Sequence, residues 1–210
     1  MNGPLAEPDL VRALRRPAAL LVVDMQNDYC LPEGIIGSLG FDVSGSPALA
    51  ERLNRFLGET RSGIGIRIFA RTVIPPWLRS PALVEQYSRS PLAREILPHL
   101  SDWYGVSPGP EDIVVQKHRY SAFVGTNLDA ILRAKGVETV VVTGVTTEVC
   151  VESTVRDAFM RDYAVIVVSD CTQATTPERQ THSLGVMDTF FARVHTGNEI
   201  IAALSGEVGR

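Results

Sequence analysis

Cysteine is scarce in this chain, with three in 210 residues. That is too few to staple a small secreted scaffold and suits a reducing compartment. Positive charge is in no surplus: 20 Lys and Arg stand against 24 Asp and Glu, a formal charge of -4. A basic footprint for nucleic acid or an anionic membrane surface is therefore missing. No apolar run approaches the roughly 20 residues that cross a bilayer; Ala18 to Val23, the longest, has the length of a strand. Met1-Asn2-Gly3-Pro4 does not have the basic-then-apolar order of a secretory leader. What the chain does have is 45% hydrophobic and 21% charged residues over a length suited to one domain. These features predict a cytoplasmic globular protein, a single domain over residues 1–210, with neither nucleic acid nor membrane as a partner.

Short β-branched runs alternate with helix-like stretches. Ala18 to Val23 has no polar face and reads as a buried strand. A Gly- and Pro-rich loop is expected from Asn27 to Ser46, then a helix with Ser46 as N-cap, Pro47 at its start and Leu49, Leu53, Phe56 and Leu57 at helical spacing. Further strands are expected at Ile64 to Ala70, Ile113 to Lys117, Thr139 to Thr143, Ala164 to Val168 and Ala192 to His195. Between Thr72 and Pro110 lie seven of the 13 prolines, with short helices expected at Pro81 to Ser88 and Pro91 to Leu97. Helices are also expected from a Thr126 cap to Gly136, from Val149 to Arg161, from Pro177 with Leu184, Met187 and Phe190 on one face, and from Glu199 to Leu204. Regular alternation of this kind implies a parallel sheet covered on both faces, hence an α/β fold.

Three polar residues follow strands: Asp24 the first, Lys117 the third, and Cys150 the fourth after Gly144-Val145-Thr146-Thr147-Glu148. Each has an ordinary explanation on its own, as a loop cap, a solvated lysine or a small buried hydrophobe. Open parallel sheets, however, gather their sites outside the carboxyl ends of the strands, where all three would converge. A thiol at a helix start feels the positive end of the backbone dipole, and a nearby ammonium favours its thiolate. A carboxylate beside it can take the thiol proton and return it to a leaving group. Backbone N–H groups of the same turn can hold an oxyanion. Together these make a nucleophilic acyl-transfer site without histidine.

The segments Leu21-Val22-Val23-Asp24-Met25-Gln26-Asn27-Asp28-Tyr29, Lys117-His118-Arg119-Tyr120-Ser121-Ala122-Phe123 and Gly144-Val145-Thr146-Thr147-Glu148-Val149-Cys150-Val151-Glu152-Ser153-Thr154 resemble the isochorismatase-like cysteine hydrolases. The order and spacing hold over roughly residues 18 to 204. The resemblance implies a Rossmann-like three-layer α/β/α fold with a six-stranded, mainly parallel sheet, and a catalytic triad of Asp24, Lys117 and Cys150. It also implies a cis peptide between Val145 and Thr146, with the amides of Thr146 and Cys150 as the oxyanion hole. Cysteine-bearing members of the family mostly hydrolyse amides, ureides and carbamoyl compounds. Members acting on isochorismate commonly lack the cysteine. Gly40-Phe41-Asp42-Val43-Ser44, Arg119-Tyr120-Ser121 and Asp188-Thr189-Phe190-Phe191 look similar to the ureidoacrylate and biuret amidohydrolases.

Nicotinamidases of that family bind a metal through an Asp-x-His pair after the second strand. Here that position reads Arg71-Thr72-Val73-Ile74-Pro75-Pro76-Trp77, and His99, His118, His182 and His195 all lie elsewhere. No metal and no cofactor are expected. Tyr29, Trp77, Tyr120 and Phe123 are expected to line the substrate pocket, while Cys30, Cys171 and Glu152 read as structural. The family further implies a homo-oligomer, a dimer or a tetramer, acting on a small-molecule amide or ureide. Two other readings stay open at this point: a vinyl-ether hydrolase with Asp24 as its acid, and a binding protein without turnover.

Overall fold

Apolar runs with no polar face need cover on both sides. The computed structural model describes residues 9–88 and 98–206. Within them one sheet is built from β1 (Ala18–Val23), β2 (Ile66–Thr72), β3 (Ile113–Lys117), β4 (Thr139–Val145), β5 (Ala164–Gln173) and β6 (Arg193–His195). The order is β3-β2-β1-β4-β5-β6, and every neighbouring pair is parallel. The mainly parallel sheet expected from the sequence is thus wholly parallel. Strand order reverses between β1 and β4, where a doubly wound sheet opens a crevice at its carboxyl edge.

The helices are α1 (Asp9–Leu14), α2 (Asn27–Cys30), α3 (Ile35–Ser38), α4 (Ser46–Glu59), α5 (Pro81–Ser88), α6 (Leu128–Ala134), α7 (Glu152–Phe159), α8 (Pro177–Phe190) and α9 (Gly197–Ser205). Alternate residues of β1 divide the core between two layers. Leu20 and Val22 cluster with Leu14 of α1, Leu53 of α4 and Ile200 of α9. Ala19, Leu21 and Val23 face the other way, towards Leu132 of α6, Val155 of α7 and Met187 of α8. Among the described residues no helix is long and apolar enough to cross a membrane.

Several local expectations need correction. The second strand begins at Ile66 rather than Ile64 and runs on to Thr72. Ile64 is buried, but its amide donates to the Thr60 carbonyl at the end of α4 (2.8 Å), so its hydrophobicity marks burial and not strand pairing. Ser46 is not an N-cap: Gly45 holds that place, and Ser46 is a buried first-turn residue. On α8, Met187 is buried but Phe190 is 64% exposed. The apolar role passes to Phe191, which meets Phe159 edge-on at 5.6 Å and lies under Arg156. The stretch expected to be loop between Asn27 and Ser46 contains α2 and α3. The expected helix at Pro91 to Leu97 lies outside the described residues.

Candidate active site

Strand register brings the first polar groups together. Thr72 of β2 pairs directly with Lys117 of β3. Asp24 follows β1, whose last residue Val23 pairs with Ala70 on one side and Gly144 on the other. Asp24 leaves the strand with φ at 51°, in the left-handed region that Asp tolerates better than most residues. Gly144 has φ at 108°, and a Cβ there would lie 2.0 Å from the Val23 carbonyl oxygen. Only glycine lets β4 run this close to the turn that carries Asp24.

Lys117 has no exposed side-chain surface, and neither has Asp24. The ammonium lies 2.7 Å from Asp24 Oδ2 and donates to Thr72 Oγ1 (2.7 Å), the Arg119 carbonyl (3.0 Å) and Cys150 Sγ (3.5 Å). Thr72 Oγ1 donates in turn to Asp24 Oδ1 at 3.0 Å, and Tyr29 lines the cavity beside them. The contact between Oδ2 and the ammonium is an ion pair and not an aligned hydrogen bond. That leaves an unpaired carboxylate oxygen, Asp24 Oδ2, on the residue whose charge acts on the Cys150 thiol. Gln26 braces the corner: its Oε1 accepts from the Thr72 amide (2.7 Å), and its Nε2 donates to the carbonyls of Thr72 (3.1 Å) and Ser101 (2.8 Å).

Cys150 sits in a π-helical turn, Thr147–Val151, that runs into α7. The turn is pinned from behind, where Thr154 Oγ1 donates to the Cys150 carbonyl (2.7 Å) and accepts from the Ala122 amide (3.0 Å). The peptide between Val145 and Thr146 is cis. The Thr146 carbonyl accepts from the amides of Val149 (3.1 Å) and Val151 (3.2 Å).

Electrostatics hold the proton on sulfur in the resting site. Burial pushes the Cys150 thiol well above its ordinary value and the Asp24 charge adds to this, while Lys117 opposes both. The lysine favours thiolate as the sequence suggested, but burial and Asp24 outweigh it. Burial alone would lower the Lys117 ammonium, but Asp24 and Cys150 outweigh it and its pKa ends above normal. Burial, reinforced by Asp24, raises the Tyr29 phenol far above its usual range. Carboxylate, ammonium and neutral thiol thus share one dry corner.

A cavity of about 470 Å³ opens over this corner, within the range of small-molecule sites. Thr72, Thr146 and Cys150 belong to its lining, as do Tyr29 and Tyr120. Trp77 and Phe123 do not. Trp77 is 82% exposed in a short 3₁₀ turn, where the prolines around it gave no sign of direction. Phe123 is buried against Tyr163, ring centroids 6.1 Å apart, with the Arg161 guanidinium also over its ring. It is core, not wall.

The sequence reading missed much of the lining. Ile35, Ile36, Leu39 and Phe41 come from the segment expected to be loop, and Ile74, Leu83 and Val84 from the proline-rich one. Thr72 was legible as the position beside Lys117 only once the second strand was extended. Arg79, Arg119 and Arg179 also line the cavity, with Glu148 and Thr175. Glu148 Oε1 accepts from the Thr175 amide (3.1 Å) and hydroxyl and lies 3.8 Å from Arg179. Glu152 points elsewhere, bound to Arg156 (2.6 Å) and Ser183, as a structural residue would. Cys30 and Cys171 are buried away from the cavity. Among the described residues no three His, Cys, Asp or Glu side chains stand together as a metal site would require.

The family model described as the isochorismatase domain matches residues 18–199. The chain belongs to the isochorismatase family. Among curated members, the ureidoacrylate amidohydrolase RutB of Methylorubrum extorquens strain AM1 is 37% identical over 223 residues, covering 98% of this chain and 90% of its own. Among solved structures, a cysteine hydrolase from Pseudomonas syringae pv. phaseolicola 1448A superposes with a TM-score of 0.76 at 26% identity, covering 98% of this chain and 99% of that one. The N-carbamoylsarcosine amidase of Thermoplasma acidophilum superposes at 0.66 with 28% identity, covering 86% and 96%.

Proposed function

We propose that this member of the family is a cysteine-dependent amidohydrolase that cleaves a C–N bond of a small amide, ureide or carbamoyl compound. The observation that carries the reading is the placing of one ammonium 2.7 Å from a buried carboxylate and 3.5 Å from a buried thiol beneath a ligand-sized cavity. The names of the similar proteins, a ureidoacrylate amidohydrolase and a carbamoylsarcosine amidase, agree with that chemistry. Three lining arginines against one glutamate favour a substrate that carries an acid group.

Asp24, Lys117 and Cys150 act as the triad. Asp24 accepts the thiol proton as sulfur bonds to the carbonyl carbon, and the electron pair of the C=O bond moves onto oxygen. The amides of Thr146 and Cys150 hold that oxygen. Lys117 balances the negative charge as it passes from carboxylate to sulfur, which a raised thiol pKa makes necessary. Collapse of the adduct breaks the C–N bond, and the departing nitrogen takes the proton from Asp24. An acyl group remains as a thioester on Cys150. Water then gives a proton to Asp24 and adds to the thioester, the C–S bond breaks, and the proton returns to sulfur. A carbamate produced in this way loses carbon dioxide.

The same reading takes residues 1–210 as one domain working in a reducing cytoplasm, supported by three buried free cysteines. It also takes the protein as a homo-oligomer, supported by the exposed apolar side chains Met160 and Phe190; light scattering on the purified protein measures this directly. The function is tested by ammonia release from ureidoacrylate, biuret and simple amides, with wild type and Cys150→Ala side by side. Turnover should fall to about one-thousandth or less in the variant. Undiminished turnover would remove the covalent route.

A further inference from the structure

Charge on the cavity wall is not evenly matched. Arg79, Arg119 and Arg179 all line the cavity, against a single acidic side chain, Glu148. Arg179 is already engaged. It donates to Thr175 Oγ1 (2.6 Å), lies 3.8 Å from Glu148 and covers the Phe41 ring. Among the described residues no carboxylate stands beside Arg79 or Arg119. Arg79 donates through Nε to the Ile74 carbonyl at 3.4 Å.

Arg119 is the better held of these two. Its Nη1 donates to the carbonyls of His118 (2.6 Å) and Leu78 (3.4 Å), and its own carbonyl accepts from the Lys117 ammonium (3.0 Å). The residue is half-buried, yet among the described residues Nε and Nη2 are neither hydrogen bonded nor buried. One corner of the guanidinium is thus pinned, and the edge formed by Nε and Nη2 stays accessible. Two parallel N–H groups on such an edge match the two oxygens of a carboxylate. Leu78, whose carbonyl holds Nη1, precedes Arg79 in the chain, so the second unpaired cation starts beside the first. The backbone of Arg119 is also close to the chemistry: its carbonyl is 3.0 Å from the Lys117 ammonium, which is 3.5 Å from Cys150 Sγ.

We propose that Arg119, supported by Arg79, is the specificity-determining residue that binds the acid group of the substrate through its Nε–Nη2 edge. This rests on the amidohydrolase reading and narrows it to small amides or ureides with a carboxylate a short chain away from the carbonyl under attack. Arg179 holds the wall together and leaves the acid group to Arg119. A site built around such hydrogen bonds rejects the analogue that cannot accept them more strongly than an apolar pocket rejects a misfit.

The test compares ureidoacrylate with its primary amide, which differs only at the acid group. Dissociation constants are measured by calorimetry on Cys150→Ala protein, so that binding is read without turnover. The acid should bind about 10- to 100-fold tighter than the amide, the range of hydrogen bonds to a charged group. A ratio near one overturns the proposal before any arginine is replaced. Adding Arg119→Gln should cut the ratio about tenfold by weakening the acid alone. Adding Arg119→Lys, which keeps the charge and loses the fork, should give an intermediate ratio. Adding Arg179→Gln should move the ratio less than about threefold, because that guanidinium already has its partners. A ratio that survives Arg119→Gln, or that Arg179→Gln lowers as far, would overturn the proposal. If Arg119→Gln binds neither ligand, Arg119→Lys decides: a reduced ratio upholds the proposal, and an unchanged ratio or loss of both ligands overturns it. Ammonia release from wild type is scored separately. An Arg119-dependent preference for the acid without ammonia would leave this subsite standing and remove the amidohydrolase reading; ammonia without the preference would do the reverse.

Discussion

The two walls of the cavity are built on different principles. The inner one presents Thr72 and Cys150 to the cavity with Asp24 and Lys117 packed behind them, all four set at strand ends or in the turn behind β4 and buried. Their mutual distances follow from sheet register and from the ion pair at their centre. The outer wall consists of Ile35, Ile36, Leu39 and Phe41 on one side and Ile74, Leu83 and Val84 on the other. These sit on short helices and loops, most of them partly exposed, held mainly by packing, with Arg179 over the Phe41 ring. A sheet edge fixes geometry closely enough for proton transfer, whereas loops can vary without disturbing it. Substitutions should therefore act as all-or-none changes on the inner wall and as graded ones on the outer wall.

The largest expected effect is that of Lys117→Ala. It leaves the Asp24 carboxylate buried without its cation, a loss of about 3–5 kcal/mol of stability. Turnover should fall by roughly 10³-fold or more, since the sulfur loses the ammonium 3.5 Å from it. Urea denaturation and the ammonia assay read the two effects. A variant within 1 kcal/mol of wild type would mean that the pair is no keystone of the inner wall.

Asp24→Asn separates ionisation from catalysis. Burial and then the Asp24 charge hold the thiol proton, while Lys117 opposes them. Removing the carboxylate should therefore lower the Cys150 pKa, so that thiolate absorbance appears at lower pH, while turnover falls about 10²- to 10⁴-fold for want of a base. A thiol pKa that stays put or rises would contradict this account of the resting site. The sign carries over to stability. The folded thiol remains protonated at a pH where the unfolded one, near its ordinary 9.0, has ionised. The folded state then binds more protons, and its stability falls as pH rises through 9, by up to about 1.4 kcal/mol per pH unit for each such thiol. Cys30 and Cys171, both raised by burial to about 12, act in the same direction. Cys150→Ala should flatten the alkaline slope by one thiol's share.

The same division explains what the sequence made legible. Asp24, Lys117 and Cys150 stood out because each follows an apolar run whose length sets where the strand ends, and parallel strands end at one edge. Thr72 was hidden because the apolar run Ile64 to Ala70 marks burial at its start and stops short of the true strand end. The outer wall left almost no signal. Ile35 and Ile36 belong to a helix of four residues and Leu39 is its C-cap, an element too short for apolar periodicity to register among the glycines and prolines around it. Phe123 misled for the opposite reason: its place in a motif suggested the cavity, but the chain turns after Ser121 and delivers the ring to Tyr163.

On the outer wall the effects become small, and a pair of substitutions there marks its boundary. Leu39 lines the cavity, so Leu39→Ala should raise KM about 3- to 10-fold with kcat held within about twofold, the sign of lost uniform binding. Trp77 is the larger side chain and was the more attractive pocket residue by sequence, yet it faces solvent outside the cavity. Trp77→Ala should leave KM unchanged and stability within about 0.5 kcal/mol. Residue size predicts the opposite order, so the comparison is decisive. A KM increase for Trp77→Ala equal to or above that for Leu39→Ala would place the indole over the bound substrate, and the outer wall would then close around its ligand instead of standing preformed.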